Sequence, residues 1–179
     1  MWEWFSQTSL IRLFPNIKKE DLSSQQFWNN MDKISSRDCA TIWEDIVTRA
    51  IGSEKIDLSS ISYDGTNYYT FIDTFNVRCS IAKRGKNKQG RANLRQINYA
   101  LFCTADGHIP LFYDTYDGNR NDYTQFPVVL KKFQQFFLRL TNSAHIKEKM
   151  TLVFDKGNCS KSNFGEIDAS EFYFVTSTK

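Results

Sequence analysis

The sequence predicts an α/β protein: an N-terminal helical segment, then a mixed sheet of three antiparallel strands followed by parallel strands joined by helices. Three observations lead there. Up to residue 57, apolar residues recur at three- and four-residue spacing, the period of a helix with one buried face. From Ile56 the period drops to two over stretches rich in Tyr, Thr and Ile, as in half-buried strands. Between 121 and 140 the helical period returns, and a short apolar run, MTLVF, follows it. The expected division is a helical segment at 1–57 and a sheet domain at 58–179.

Each element has a local reason. EDLSSQQFWNNMDKIS sets Leu22, Phe27, Trp28, Met31 and Ile34 along a helix that Ser23 or Ser24 can cap. SRDCATIWEDIVTRAIG sets Ala40, Ile42, Trp43, Ile46, Val47, Ala50 and Ile51 on one broad face, with Ser36 ahead of it and Gly52 able to end it. The pair reads as a helical hairpin whose Trp and Phe side chains are core. LSSISYDGTNYYTFI is the first strand, and a short extended piece is expected around 74–80. LRQINYALFCTADGHIPLFYDTYDG reads as two strands about an Asp106-Gly107 turn. Phe126, Val129, Leu130, Phe133, Phe136, Phe137 and Leu140 then lie at helical spacing. Asn121 or Asp122 can cap that helix, and Pro127 falls in its first turns, where a missing N–H costs little. After the MTLVF strand, 160–170 forms a short helix and EFYFVTS a last strand.

Composition narrows the function classes. With 179 residues and 41% apolar content, the chain can bury a real core. No apolar run reaches membrane-span length, and MWEWFSQTSLIRLF has no basic stretch ahead of a continuous apolar one. A cytoplasmic, nucleoid-associated protein without a membrane partner is expected. Cys39, Cys79, Cys103 and Cys159 are far apart, and neither His108 nor His145 stands near them at ligand spacing. Reduced, mostly buried thiols are expected rather than a zinc site. The net charge is only +3, but Lys83, Arg84, Lys86, Lys88, Arg91 and Arg95 crowd one segment with no acid among them. That segment reads either as a solvated loop or as a surface for the phosphate backbone of DNA.

The candidate chemistry lies at two strand ends. Asp64 closes the core part of the first strand, and Asp155 closes the strand after the long crossover helix. If those strands are parallel neighbours, both carboxylates leave the sheet at one edge. Two carboxylates that close share a proton or a divalent cation. Mg²⁺ and Mn²⁺ prefer such oxygen ligands, and paired ions activate water and stabilise a leaving 3′-oxygen in phosphodiester chemistry. Taken singly, a strand-terminal Asp is more often a turn or cap residue.

SYDGTNYYTF, GHIPLFYDTYDGNRND and LVFDKGNCSKSNF, in this order, resemble the catalytic domain of DDE-type insertion-sequence transposases over roughly residues 20 to 179. The resemblance implies an RNase H-like fold, with Asp64 and Asp155 as catalytic residues binding Mg²⁺ or Mn²⁺. It implies hydrolysis and strand transfer on double-stranded DNA, both transposon ends and target. Gly118 and Asn119 would shape a turn, and Asp122 would be a helix cap first and a functional contact second. Arg95 and Gln96 are the expected ordered members of the basic segment.

One part of the pattern is missing. The family carries a third carboxylate, a Glu on a later helix in a YxxRxxIE-like stretch, and none follows Asp155. Glu166 and Glu171 are at the wrong places. The sequence therefore reads as a truncated or split transposase with little activity alone, associating with itself or a full-length transposase. The alternative is a catalytically inactive DNA-binding remnant.

Overall fold

Every element before Lys55 is a helix, and every strand comes after it. The computed structural model describes residues 1–86, 90–91, 93–144, 150–170 and 172–177, with 142–144 by backbone alone. The chain forms two compact units, Met1–Ile46 and Val47–Lys179.

The first unit holds α1 (Trp2–Ser6), α2 (Leu10–Leu13), a 3₁₀ turn at Lys19–Leu22 and α3 (Ser24–Met31). The Ser23 hydroxyl caps α3 by accepting from the Gln26 N–H at 3.2 Å. α4 (Ser36–Glu54) begins here and runs into the second unit. Ser35, not Ser36, caps it: its hydroxyl accepts from Asp38 N–H, and the Asp38 carboxylate accepts from Ser35 N–H. Donation to the Asp38 carboxylate, from the Ser35 hydroxyl first and the Ser35 N–H second, holds that carboxyl below its ordinary pKa. Gly52 does not end α4, which stops at Lys55 with φ +51°. The expected helical core is also corrected. Phe27, Trp28, Met31, Ile34, Ile42 and Ile46 are exposed, and of the broad α4 face Val47 and Ile51 are buried. Helical spacing shows which residues share a face, not what covers it.

The second unit is a mixed sheet of β1 (Ser60–Thr70), β2 (Lys83–Arg84), β3 (Arg95–Thr104), β4 (Pro110–Asp117), β5 (Thr151–Phe154) and β6 (Tyr173–Thr176). β1 pairs antiparallel with β3, and β3 antiparallel with β4. β5 returns parallel to β1, and β6 lies parallel to β5. The order β4-β3-β1-β5-β6 is that of an RNase H-like sheet, as the sequence predicts. The extended piece expected at 74–80 is loop, and the extra strand is β2, which pairs with Arg95 and Gln96. Among the described residues, no helix is long and apolar enough to cross a membrane.

α5 (Asp122–Ala144) joins β4 to β5, and α6 (Lys161–Asp168) joins β5 to β6. All seven α5 residues expected to be apolar core are buried. Phe133 stacks on Phe102 of β3 at 4.0 Å between ring centres, and Phe126 meets Tyr63 of β1 and Phe154 of β5. β3 alternates strictly, with Gln96, Asn98, Ala100, Phe102 and Thr104 buried and their neighbours half-exposed. Gly118 is demanded by close approach: a Cβ there would overlap the Gln96 backbone carbonyl. The four cysteines are free but half-exposed, not mostly buried.

Candidate active site

β1 and β5 run in register from Ser60–Thr151 to Tyr63–Phe154. Tyr63 and Phe154 both turn their rings onto Phe126 of α5, at 5.0 and 5.1 Å. Side chains alternate across a strand, so the next residue on each, Asp64 and Asp155, projects from the opposite face. Both are exposed. The residues just before them, Tyr63 and Phe154, are the last registered pair, one strand spacing or roughly 5 Å apart. Asp64 does not end its strand: β1 continues to Thr70 against β3, and only the parallel pairing to β5 stops at Tyr63. The carboxylates therefore stand where β5 peels away from a strand that goes on.

Each carboxylate is braced by the next residue. Asp64 Oδ1 accepts from Gly65 N–H at 2.8 Å, and Asp155 Oδ1 accepts from Lys156 N–H at 2.7 Å. Among the described residues, the second oxygen of each makes no protein hydrogen bond. Asp155 remains extended (φ −72°, ψ 151°) before a 3₁₀ turn at Lys156–Asn158. Two exposed hard-oxygen donors on neighbouring strands fit part of a divalent-cation site. No cluster of three or more His, Cys, Asp or Glu suited to a metal occurs among the described residues. Glu166 is exposed on α6. α6 packs through Phe164 on Phe174, and Phe174 stacks on Phe154, so α6 lies on the face opposite the carboxylate pair. Glu171 lies outside the described residues.

The turn after Asp155 is fixed by a residue the sequence reading missed. Pro127 sits inside α5 and lacks the N–H that would bond the Tyr123 carbonyl. Asn163, buried on α6, supplies that donor: its Nδ2 donates to Tyr123 O at 3.1 Å and to Asn158 O at 2.7 Å. One amide thus ties the Asp155 turn to the start of α5. A proline within a helical run signals an orphan carbonyl, but the donor lies 36 residues further on.

Asp122 is the first residue of α5, and its carboxylate serves tertiary structure. Oδ1 accepts from the Tyr116 hydroxyl at 2.7 Å, and the carboxyl lies 3.4 Å from where a Cβ on Gly65 would stand. The Tyr63 hydroxyl is buried beside it without a hydrogen-bond partner among the described residues. Burial first, then the Asp122, Asp64 and Asp114 carboxylates, push the Tyr63 phenol far above its ordinary pKa. Burial and the Asp122 hydrogen bond do the same to Tyr116.

The basic segment lies at the other end of the sheet. Lys83 and Arg84 pair with Gln96 and Arg95, which face Tyr69 and Thr70 of β1. Thr70 lies six positions along the strand from Asp64, about 20 Å away. Lys83, Arg84, Lys86 and Arg91 are exposed; Lys83 pairs with Asp117, Arg84 bonds Thr74, and Arg91 lies over the Tyr69 ring at 4.7 Å. Lys88 lies outside the described residues. Arg95 and Gln96 are ordered by internal bonds. The Arg95 guanidinium donates to the carbonyls of Asp73, Asn76, Cys79 and Ala82, and Gln96 donates to Gly118 O.

No family model matches the chain, and no curated protein matches it. Solved structures with a similar path include the catalytic domain of Mos1 mariner transposase, at TM-score 0.44 and 6% identity over 74% of this chain and 55% of that one. The same domain with Raltegravir and Mg gives TM-score 0.46 and 7% identity, over 74% and 56%. The piggyBac transposase synaptic complex with hairpin DNA gives 0.41 and 10%, over 94% and 36%. The chain spans just over half the length of the Mos1 catalytic domain. The fold stated above rests on this chain's own strand order.

Proposed function

We propose that this chain is the nucleotidyl-transfer domain of a DDE-type transposase, acting on insertion-sequence ends by metal-dependent phosphodiester hydrolysis and strand transfer. One observation carries the reading. Asp64 and Asp155, 91 residues apart in sequence, follow a registered pair on adjacent parallel strands and leave the sheet on one face. The sequence segments around both are those that resemble the transposase domain. Asp64 and Asp155 would hold Mg²⁺ or Mn²⁺, which when bound activates water and stabilises the leaving 3′-oxygen. The chain itself supplies rigidity. The N–H groups of Gly65 and Lys156 each hold one carboxylate oxygen and leave the other without a hydrogen bond among the described residues. Lys83, Arg84, Lys86 and Arg91 offer phosphate contacts further along the sheet.

A second reading is favoured by the donor count, since no third metal-ligating side chain joins the pair among the described residues. On that reading the chain binds double-stranded DNA without cleaving it, alone or beside a full-length transposase. Nicking of supercoiled DNA in Mg²⁺ or Mn²⁺ separates the two. Nicking that Asp64→Ala and Asp155→Ala both abolish supports the enzyme. A shifted but uncut plasmid at every metal concentration supports the remnant. A plasmid neither shifted nor cut at low salt removes both.

A further inference from the structure

The loop between β1 and β2 presents apolar side chains in an unusual way. Phe71, Phe75 and Val77 are 79%, 89% and 90% exposed. Single exposed apolar residues are ordinary, but three large ones within seven residues are a surface feature. The backbone beneath them is fastened. Arg95 Nη1 donates to Asp73 O at 2.9 Å and Asn76 O at 2.8 Å, Nη2 to Cys79 O at 2.7 Å, and Nε to Ala82 O. Asp73 Oδ1 accepts from Phe75 N–H, and Asn76 Oδ1 from Arg78 N–H. One guanidinium and two Asx turns thus hold the loop while Phe75 and Val77 point into solvent. A loop fixed before binding loses less entropy on binding.

Charge indicates the partner. Arg78, Lys83, Arg84, Lys86 and Arg91 are exposed in and beside the loop. Its one carboxylate, Asp73, is engaged by the Phe75 N–H. An apolar pocket on a protein would take Phe75 but gives no reason for five cations around it. A DNA duplex supplies both complements: phosphates for the cations, and base steps into which an apolar wedge can be driven.

We propose that the 71–78 loop is a DNA wedge, with Phe75 inserting between base pairs and Val77 and Phe71 packing beside it while the flanking cations hold the phosphates. This deepens the transposase reading and rests on its DNA partner, placing a second contact region at the end of the sheet away from Asp64. Easily unstacked pyrimidine–purine steps are the expected target.

The test uses the full chain and a short duplex carrying 2-aminopurine in place of adenine at its TA steps, which brightens when its base is unstacked. The wild-type chain should brighten the probe on binding. Phe75→Ala should abolish the brightening and weaken binding about tenfold, the scale of one lost aromatic–base contact. Phe75→Leu should retain most of both, and Arg78→Ala should lower the salt slope of binding by about one. Unchanged thermal melting of each variant shows that the fold is intact. Binding without brightening, with Phe75→Ala binding as tightly as wild type, overturns the wedge and leaves the DNA reading standing. Failure of the wild-type chain to bind any duplex at low salt overturns both. A dimer that Phe75→Ala turns into a monomer, with DNA binding unaltered, also overturns the wedge and assigns the loop to self-association.

Discussion

The two faces of the sheet are made from the same strands and opposite chemistry. Beneath α5 lie Ile61, Tyr63, Phe102, Leu152 and Phe154, all buried, and the Phe102–Phe133 stack closes the layer. The other face carries Ile97, Tyr99, Leu101 and Cys103 half-exposed, the Tyr99–Tyr113 stack at 5.7 Å, and the two exposed carboxylates. Strand alternation deals residues to the two faces in turn, so one face can stabilise while the other is left for ligands. A carboxylate pair could not persist in the layer that holds Phe133, because charge without partners is strongly disfavoured there.

That contrast can be broken experimentally, and the largest effect should come from the covered face. Phe133→Ala should cost about 4 kcal/mol in urea denaturation, whereas Tyr99→Ala on the open face should cost under about 1 kcal/mol. Equal losses would mean the open face is as much a core as the other. Asn163→Ala should cost about 2 kcal/mol, because it strips the donor from two carbonyls at once. Its amide exchange should rise at the Asp155 turn before it rises in β3; a uniform rise would detach Asn163 from that turn.

The buried phenols sharpen the contrast by pH. Tyr63 and Tyr116 both have raised pKa values in the folded state. The folded state then resists their ionisation, so their contribution is complete below the unfolded value near 10 and is lost as pH rises above it. Stability should fall above about pH 10 in urea midpoints, and Tyr63→Phe should blunt the fall. Because the Tyr63 hydroxyl has no partner among the described residues, that variant should be no less stable than wild type at pH 7. Tyr116→Phe forfeits the Asp122 bond and should cost about 1 kcal/mol. The smallest change in stability should come from the open site itself. Asp64→Asn and Asp155→Asn should move the midpoint by less than about 0.5 kcal/mol while reducing Mn²⁺ binding in calorimetry. A large loss of stability would make these residues structural.

Much of this was readable in the chain. Alternation in LRQINYALFCT and helical spacing from Phe126 to Leu140 dictate their elements, because both periods follow from local backbone geometry. Asp64 and Asp155 stand out in sequence, since each follows an apolar-aromatic stretch and precedes a glycine or a turn. The exposure of Trp28, Ile42 and Ile46 was not readable, nor was the point along β1 at which its pairing with β5 stops. Arg95 shows the limit most clearly. In sequence it is one of six cations, and in the structure its donors reach four carbonyls from 73 to 82. The sequence by itself determined the order of elements, the apolar face of α5 and the two carboxylates. Only the tertiary structure decided that the carboxylates share a face, that Asn163 serves the gap Pro127 leaves, and that Arg95 builds a loop. The physical reason is range: periodicity and turn chemistry act over a few residues, whereas register and hydrogen-bond partners join residues tens of positions apart and exist only once the sheet is formed.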